Sequence, residues 1–170
     1  MTTQGQNGQQ YLRTNTIIFY ALMTGMTLFT IVVALTRNSE QPINNENLLV
    51  FISILAVIVL AAFFIRFQWL PNRLSTIAGY STLIEKLTNY SKTLIIQWAP
   101  IEASCMFSSV AYLITGSMLF MGYNIGIIAL FLLIFRPSKE RLIQDLYLDS
   151  TEIELLDDPN AIVAEFKGRR

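Results

Sequence analysis

A single acidic residue, Glu102, interrupts an otherwise uncharged run from Thr93 to Phe135. A carboxylate carried into hydrocarbon is paired, hydrated or protonated, and such groups mark proton and ion pathways. Its neighbours add to the signal. Trp98, Glu102, Cys105, Ser109, Tyr112 and Gly116 follow at intervals of 4, 3, 4, 3 and 4, which aligns them on one stripe of a helix. The stripe is small or polar for most of its length, so it faces protein, either as a packing surface or as the lining of an internal cavity. Thr24 lies at a similar depth on the first apolar segment, with Tyr20 one turn nearer the cytoplasm. Glu102, Cys105, Ser109, Tyr112 and Thr24 together form the candidate intramembrane polar site. Arg66, at the end of the second apolar segment, has the reach to snorkel toward Glu102.

Glu102 supports two readings. In one it carries protons or ions. In the other, Pro100 opens a shorter helix and the carboxylate complements exposed N–H groups and the dipole of its first turn. Residues 101–115 alone cover only about 22 Å at 1.5 Å per residue, too little to cross a bilayer. A helix kinked at Pro100, with Glu102 just past the kink, accommodates both readings.

The chemistry that is missing narrows the classes. There is no histidine, so the commonest metal ligand and the usual neutral-pH base are absent. Cys105 is the only cysteine, which excludes an intramolecular disulfide and any CxxC site. No phosphate-binding loop, zinc motif or nucleophile–base pair is present. The sequence therefore predicts no enzyme, no cofactor and no metal site. A net charge of zero gives no electrostatic footprint for nucleic acid.

The elements that must hold Glu102 follow from composition. Of the residues, 53% are hydrophobic and 14% charged, against roughly 25% charged in soluble domains. The apolar residues are clustered, and a span needs about 20 of them. The sequence predicts spans at 16–35, 48–65, 93–115 and 118–135. The last two are separated by a tight turn at Gly116-Ser117, since glycine accepts the backbone angles of a reversal. One long helix with a re-entrant segment is the alternative for the second pair. The expected fold is an all-α, integral membrane four-helix bundle of two helical hairpins.

Arginine and lysine set its orientation. The segment between spans two and three carries Arg66, Arg73, Lys86 and Lys92, and the segment after span four opens with Arg136, Lys139 and Arg141. Between spans one and two, Arg37 is accompanied by Glu40 and Glu46. Both termini are therefore predicted to be cytoplasmic. The polar residues 1–15 lack the features of a cleaved signal, so span one reads as a retained anchor.

Cytoplasmic segments complete the domain plan. Leu70-Pro71-Asn72 is expected to end span two. From the amphipathic segment 70–92, a helix over 75–97 feeds span three and either extends it into the cytoplasm or lies on the inner leaflet. The tail, 136–170, is expected to begin with a helix capped by Ser138, and another is expected to begin at Asp158-Pro159. Its apolar residues, among them Leu142, Leu146, Leu156 and Val163, are too few for a core of their own. The tail must pack on the central segment or on a partner.

Small residues add a packing expectation. Gly122 and Gly126 form a GxxxG in span four, and Ala21 and Gly25 share that spacing in span one. Such pairs let helices approach closely, within the bundle or between subunits. Asn124, inside the first motif, is placed to bond across helices.

The stretch from Ile96 through Glu102-Ala-Ser-Cys to Leu113-Ile-Thr-Gly116, followed by Phe135-Arg-Pro-Ser-Lys-Glu-Arg141 through Leu148, resembles small uncharacterised inner-membrane proteins of the Bacteroidota. The resemblance covers roughly the last 60 residues and architecture elsewhere, and it implies the bacterial inner membrane without an activity. Leu113-Ile-Thr-Gly116 departs slightly from the pattern. The helix bearing Glu102 is also similar to the carboxylate helix of rotary ATPase c-type subunits, although their glycine-rich first helix is absent here. The expected partners are the lipid bilayer and other membrane subunits, or further copies of the chain. The leading expectation is a non-enzymatic subunit or accessory of a larger membrane complex. The alternative is a homo-oligomeric proton or ion pathway through Glu102.

Overall fold

A computed structural model describes residues 3–37 and 46–167. Glu40, counted above in the first loop, lies outside the described residues. Apart from one pair of short strands, the fold is helical: β1 (Thr3–Gln6), α1 (Gly8–Thr36), α2 (Leu48–Phe64), a π-helical turn (Ile65–Trp69), α3 (Leu70–Ala78), α4 (Leu83–Thr115), α5 (Met118–Ile134), α6 (Lys139–Leu146), α7 (Ser150–Asp157) and β2 (Ala164–Lys167). Among the described residues three helices, Gly8–Thr36, Leu48–Ala78 and Leu83–Thr115, are long and apolar enough to cross a membrane, and there are up to four if α5 and α6 together count as one bent span.

α1 starts well before residue 16. Asn7 Oδ1 accepts from the Gln10 N–H at 2.9 Å, and Gln10 Oε1 accepts from the Asn7 N–H at 3.2 Å. This reciprocal pair satisfies donors that a helix start leaves open, so the polar residues from Gly8 onward are already helical.

The helix expected to stop at Pro71 instead continues to Ala78. Its path widens into one π turn at Ile65–Trp69, and Pro71 then falls in the first turn of α3, where a missing N–H costs little. The break comes later, at Gly79–Thr82, so 75–97 is not one helix. α4 runs unbroken through Pro100. The reversal before α5 falls at Gly116, whose φ is +72°, a conformation that glycine adopts without strain.

In the tail, Ser138 Oγ accepts from the Arg141 N–H at 3.2 Å and caps α6. The helix expected from Pro159 does not form. Asp158 turns the chain by accepting from the Asn160 N–H at 2.8 Å, and the chain then extends into β2. That strand pairs antiparallel with β1, from Thr3 opposite Lys167 to Gln6 opposite Ala164. An available strand edge overrode the proline start signal.

The chain forms two compact units, and their limits differ from the expected boundaries. One comprises Tyr20–Arg66 and Gln97–Arg136. Its core includes Val33, Leu55, Ala111, Tyr112 and Phe120, with the Phe51 ring 5.9 Å from that of Phe107 and 6.5 Å from that of Phe120. The other comprises Met1–Phe19, Phe67–Ile96 and Pro137–Arg170. Here Tyr11, Ile77, Leu87, Leu142, Leu146 and Val163 are fully or almost fully buried. The tail's apolar residues thus share a core with the central segment and the start of α1, the first of the two options left open by their number.

Ion pairs and hydrogen bonds reinforce this second unit. Lys86 Nζ meets Glu152 Oε1 at 2.6 Å. The same Glu152 closes a capping box at the start of α7, accepting from the Asp149 N–H while Asp149 accepts from its own. Tyr11 donates to the Leu87 carbonyl at 2.9 Å and accepts from Ser91 at 2.9 Å. Tyr90 donates to Asp145 at 2.7 Å.

Candidate functional site

α4 carries the candidate site. Its small residues Ser104, Cys105, Ser108, Ser109, Ala111 and Thr115 are all almost completely buried. Small side chains permit close helix approach, and in an apolar setting their hydroxyls must find partners. Ser109 donates to the Cys105 carbonyl at 3.0 Å, and Thr30, on α1, donates to the Met26 carbonyl at 2.9 Å. Their oxygens then remain free to accept. Asn124 of α5 supplies the donors: its Nδ2 lies 2.7 Å from Ser109 Oγ and 3.4 Å from Thr30 Oγ1. The Cys105 sulfur lies 3.8 Å from Thr30 Oγ1. One amide therefore ties α1, α4 and α5 together at a single level. Asn124 Oδ1 is buried and has no hydrogen-bond partner.

Two further bonds close the α4–α5 hairpin. Ser108 donates to the Phe120 carbonyl at 3.0 Å, and Tyr123 donates to Ser104 Oγ at 2.8 Å. At the far end, Arg37 Nη1 reaches the carbonyls of Tyr112 at 3.2 Å and Leu113 at 2.7 Å. Its guanidinium carbon lies 5.7 Å from the centre of the Tyr112 ring. A cation here serves the Leu113 carbonyl, adds to the bond that the Tyr112 carbonyl accepts from the Gly116 N–H at 2.8 Å, and complements the helix dipole. Compared with family profiles, curated proteins and solved structures, the chain matches none.

The geometry brings together only part of the predicted site. Cys105 and Ser109 are in the polar cluster. Tyr112 is buried but belongs to the Arg37 clasp and the apolar core. Thr24 is exposed, and Thr30 takes the place expected for it. The buried positions of α1 in this unit are Met26, Thr30 and Val33, and Thr24 precedes Met26 by two residues, roughly 200° around a helix of 3.6 residues per turn. The expected depth points to the correct region of α1, but the face is wrong.

Glu102 also leaves the stripe. It is half-exposed, and the ridge it begins continues through Met106, Val110 and Leu113, all at least 36% exposed. A four-residue step from Trp98 advances about 40° beyond a full turn, and the three-residue step to Cys105 falls about 60° short of one. Glu102 therefore sits off the line joining its buried neighbours. Among the described residues no hydrogen bond or ion pair reaches it, and Arg66 forms none of the ion pairs.

The small-residue motifs also face outward. Ala21, Gly122 and Gly126 are exposed and Gly25 is half-buried; a Cβ added at any of the three glycines would meet nothing within 4 Å. Among the described residues none of these glycines closes a helix contact. The close approach uses serine, alanine and cysteine on α4, a signal present in the sequence as Ser104, Ser108, Ala111 and Thr115 at intervals of 4, 3 and 4. Asn124 was visible inside GxxxG, whereas Thr30 and the capping role of Arg37 required the fold.

Proposed function

We propose that the chain is a non-enzymatic four-span protein of the bacterial inner membrane, with both termini cytoplasmic, that serves as a subunit or accessory of a larger membrane complex. The observation that carries this reading is Glu102. It lies nine residues beyond Thr93, roughly 14 Å along the helix, half-buried on an apolar, outward-facing ridge and, among the described residues, without a hydrogen-bond or ion-pair partner. A carboxylate exposed to hydrocarbon is costly, and a donor from a neighbouring subunit removes that cost. The open faces at Gly122 and Gly126 favour the same reading, because small residues admit a second helix closely. The orientation rests on the arginine and lysine distribution, and the inner-membrane assignment on the resemblance to Bacteroidota proteins.

Gentle detergent extraction followed by native mass measurement tests the proposal. The expected result is a defined heteromeric assembly that loses its partner in Glu102→Ala while the chain itself remains folded. A lone monomer overturns it. The alternative, a homo-oligomeric proton or ion pathway, draws on the same half-exposed carboxylate. It predicts a homo-oligomer whose proton flux in vesicles is abolished by Glu102→Gln.

A further inference from the structure

A groove runs along the start of α1, in the unit formed by Met1–Phe19, Phe67–Ile96 and Pro137–Arg170. It encloses about 440 Å³ and is lined by Gly5, Gln6, Gln10, Arg13, Thr14 and Ile17. Its chemistry is graded along the helix. Gln10, Arg13 and Thr14 share one face by their three- and four-residue spacing, and Ile17 continues that face one turn on. Arg13 is exposed, and among the described residues it is engaged in no ion pair and no acidic residue lines the groove. The Gln10 side-chain oxygen is occupied by the Asn7 N–H, which leaves its amide N–H groups as donors. Gln6 approaches Thr14 Oγ1 through Nε2 at 3.4 Å, while its Oε1 is buried without a partner. Ile17, at 58% exposed, supplies an apolar wall at the other end.

We infer that this groove binds a phosphate group, and that the group belongs to an anionic lipid. The Arg13 guanidinium matches a phosphate in charge and in its forked donor geometry. Gln10 Nε2 adds a neutral donor one turn away. Ile17 lies where an acyl chain leaves the headgroup, because Arg13 stands one turn before the predicted start of the first span. The lipid source rests on the membrane reading of α1; the phosphate chemistry does not.

The test uses the full-length protein in a neutral detergent, titrated with phosphatidylglycerol, phosphatidylcholine or the soluble glycerol 3-phosphate and followed by native mass measurement. The expected result is one phosphatidylglycerol retained in preference to phosphatidylcholine, with affinity lowered roughly fivefold or more in Arg13→Gln. Gln10→Glu provides a second variant. It preserves the helix cap, since glutamate serves at that position, while placing a carboxylate in the groove, so binding is lost without loss of helix content by circular dichroism. Binding of glycerol 3-phosphate with the same sensitivity to both variants supports the phosphate site and overturns the lipid source. Equal retention of phosphatidylcholine, or binding indifferent to both variants, overturns the inference.

Discussion

Asn124 shows how much one residue can organise. Its amide spans three helices, yet both hydroxyls it meets also hold a carbonyl of their own helix. Removing the amide therefore leaves no orphaned hydroxyl proton. We expect Asn124→Ala to lower stability by only about 1 kcal/mol, in line with interhelical hydrogen bonds in lipid, as measured by reversible unfolding in mixed micelles. Glu152 behaves differently, because its carboxylate serves both the Lys86 ammonium and the α7 cap. Lys86 is only 8% exposed, so Glu152→Ala strands a charge and should cost about 3 kcal/mol. The double variant Lys86→Met, Glu152→Leu should recover most of that loss in the same unfolding measurement.

Helix ends, rather than helix interiors, decide the path of the elements. The α4–α5 reversal depends on the positive φ of Gly116 and on the Arg37 guanidinium, which occupies the space a Cβ there would fill, 1.9 Å from Nη2. Gly116→Ala should cost about 2 kcal/mol or more, because backbone strain and displacement of Arg37 add. Arg37→Ala should leave the φ unstrained and cost less; thermal unfolding of both variants separates the two effects. At the other end of the chain, α1 approaches α7 so closely that a Cβ on Gly8 would lie 1.9 Å from the Leu156 carbonyl oxygen. The lone arginine of the first loop is thus committed to a helix end, in keeping with its small weight in the orientation argument.

Taken whole, the chain assembles distant segments into units that none of them forms alone. Residues up to Phe19, the central Phe67–Ile96 and the tail share one core, in which buried tyrosines make stability depend on alkaline pH. Burial raises the Tyr11 phenol to about 12, with its bond from Ser91 partly opposing the shift. Burial likewise raises Tyr90, helped by the neighbouring Asp145 carboxylate. An unfolded tyrosine loses its proton near pH 10, so above that pH the unfolded chain binds fewer protons than the folded one. Stability is complete below about pH 10 and falls as the pH rises toward 12. Tyr11→Phe should flatten that fall, measured as denaturation midpoint against pH. Its neutral-pH stability should drop by about 1 kcal/mol, from the bonds lost at Leu87 and Ser91.

The length and charge-free character of the apolar runs were legible without a fold, because hydrocarbon thickness and the cost of charge in it act on composition directly. So were the Gly116 turn and the Ser138 cap, which are local. The strand pair of β1 and β2, the passage of the helix through Pro71 and the partner of the tail were not, because each depends on residues far away in the chain. The same distinction divides the candidate site. Sequence placed Glu102, Cys105 and Ser109 on one helix with a polar face. Only the packing of α1 and α5 against α4 chose Thr30 over Thr24 and joined it to Asn124. That packing turned Glu102 outward, since which side of a helix is buried is set by its neighbours and not by its own periodicity when polar and small residues lie on more than one side.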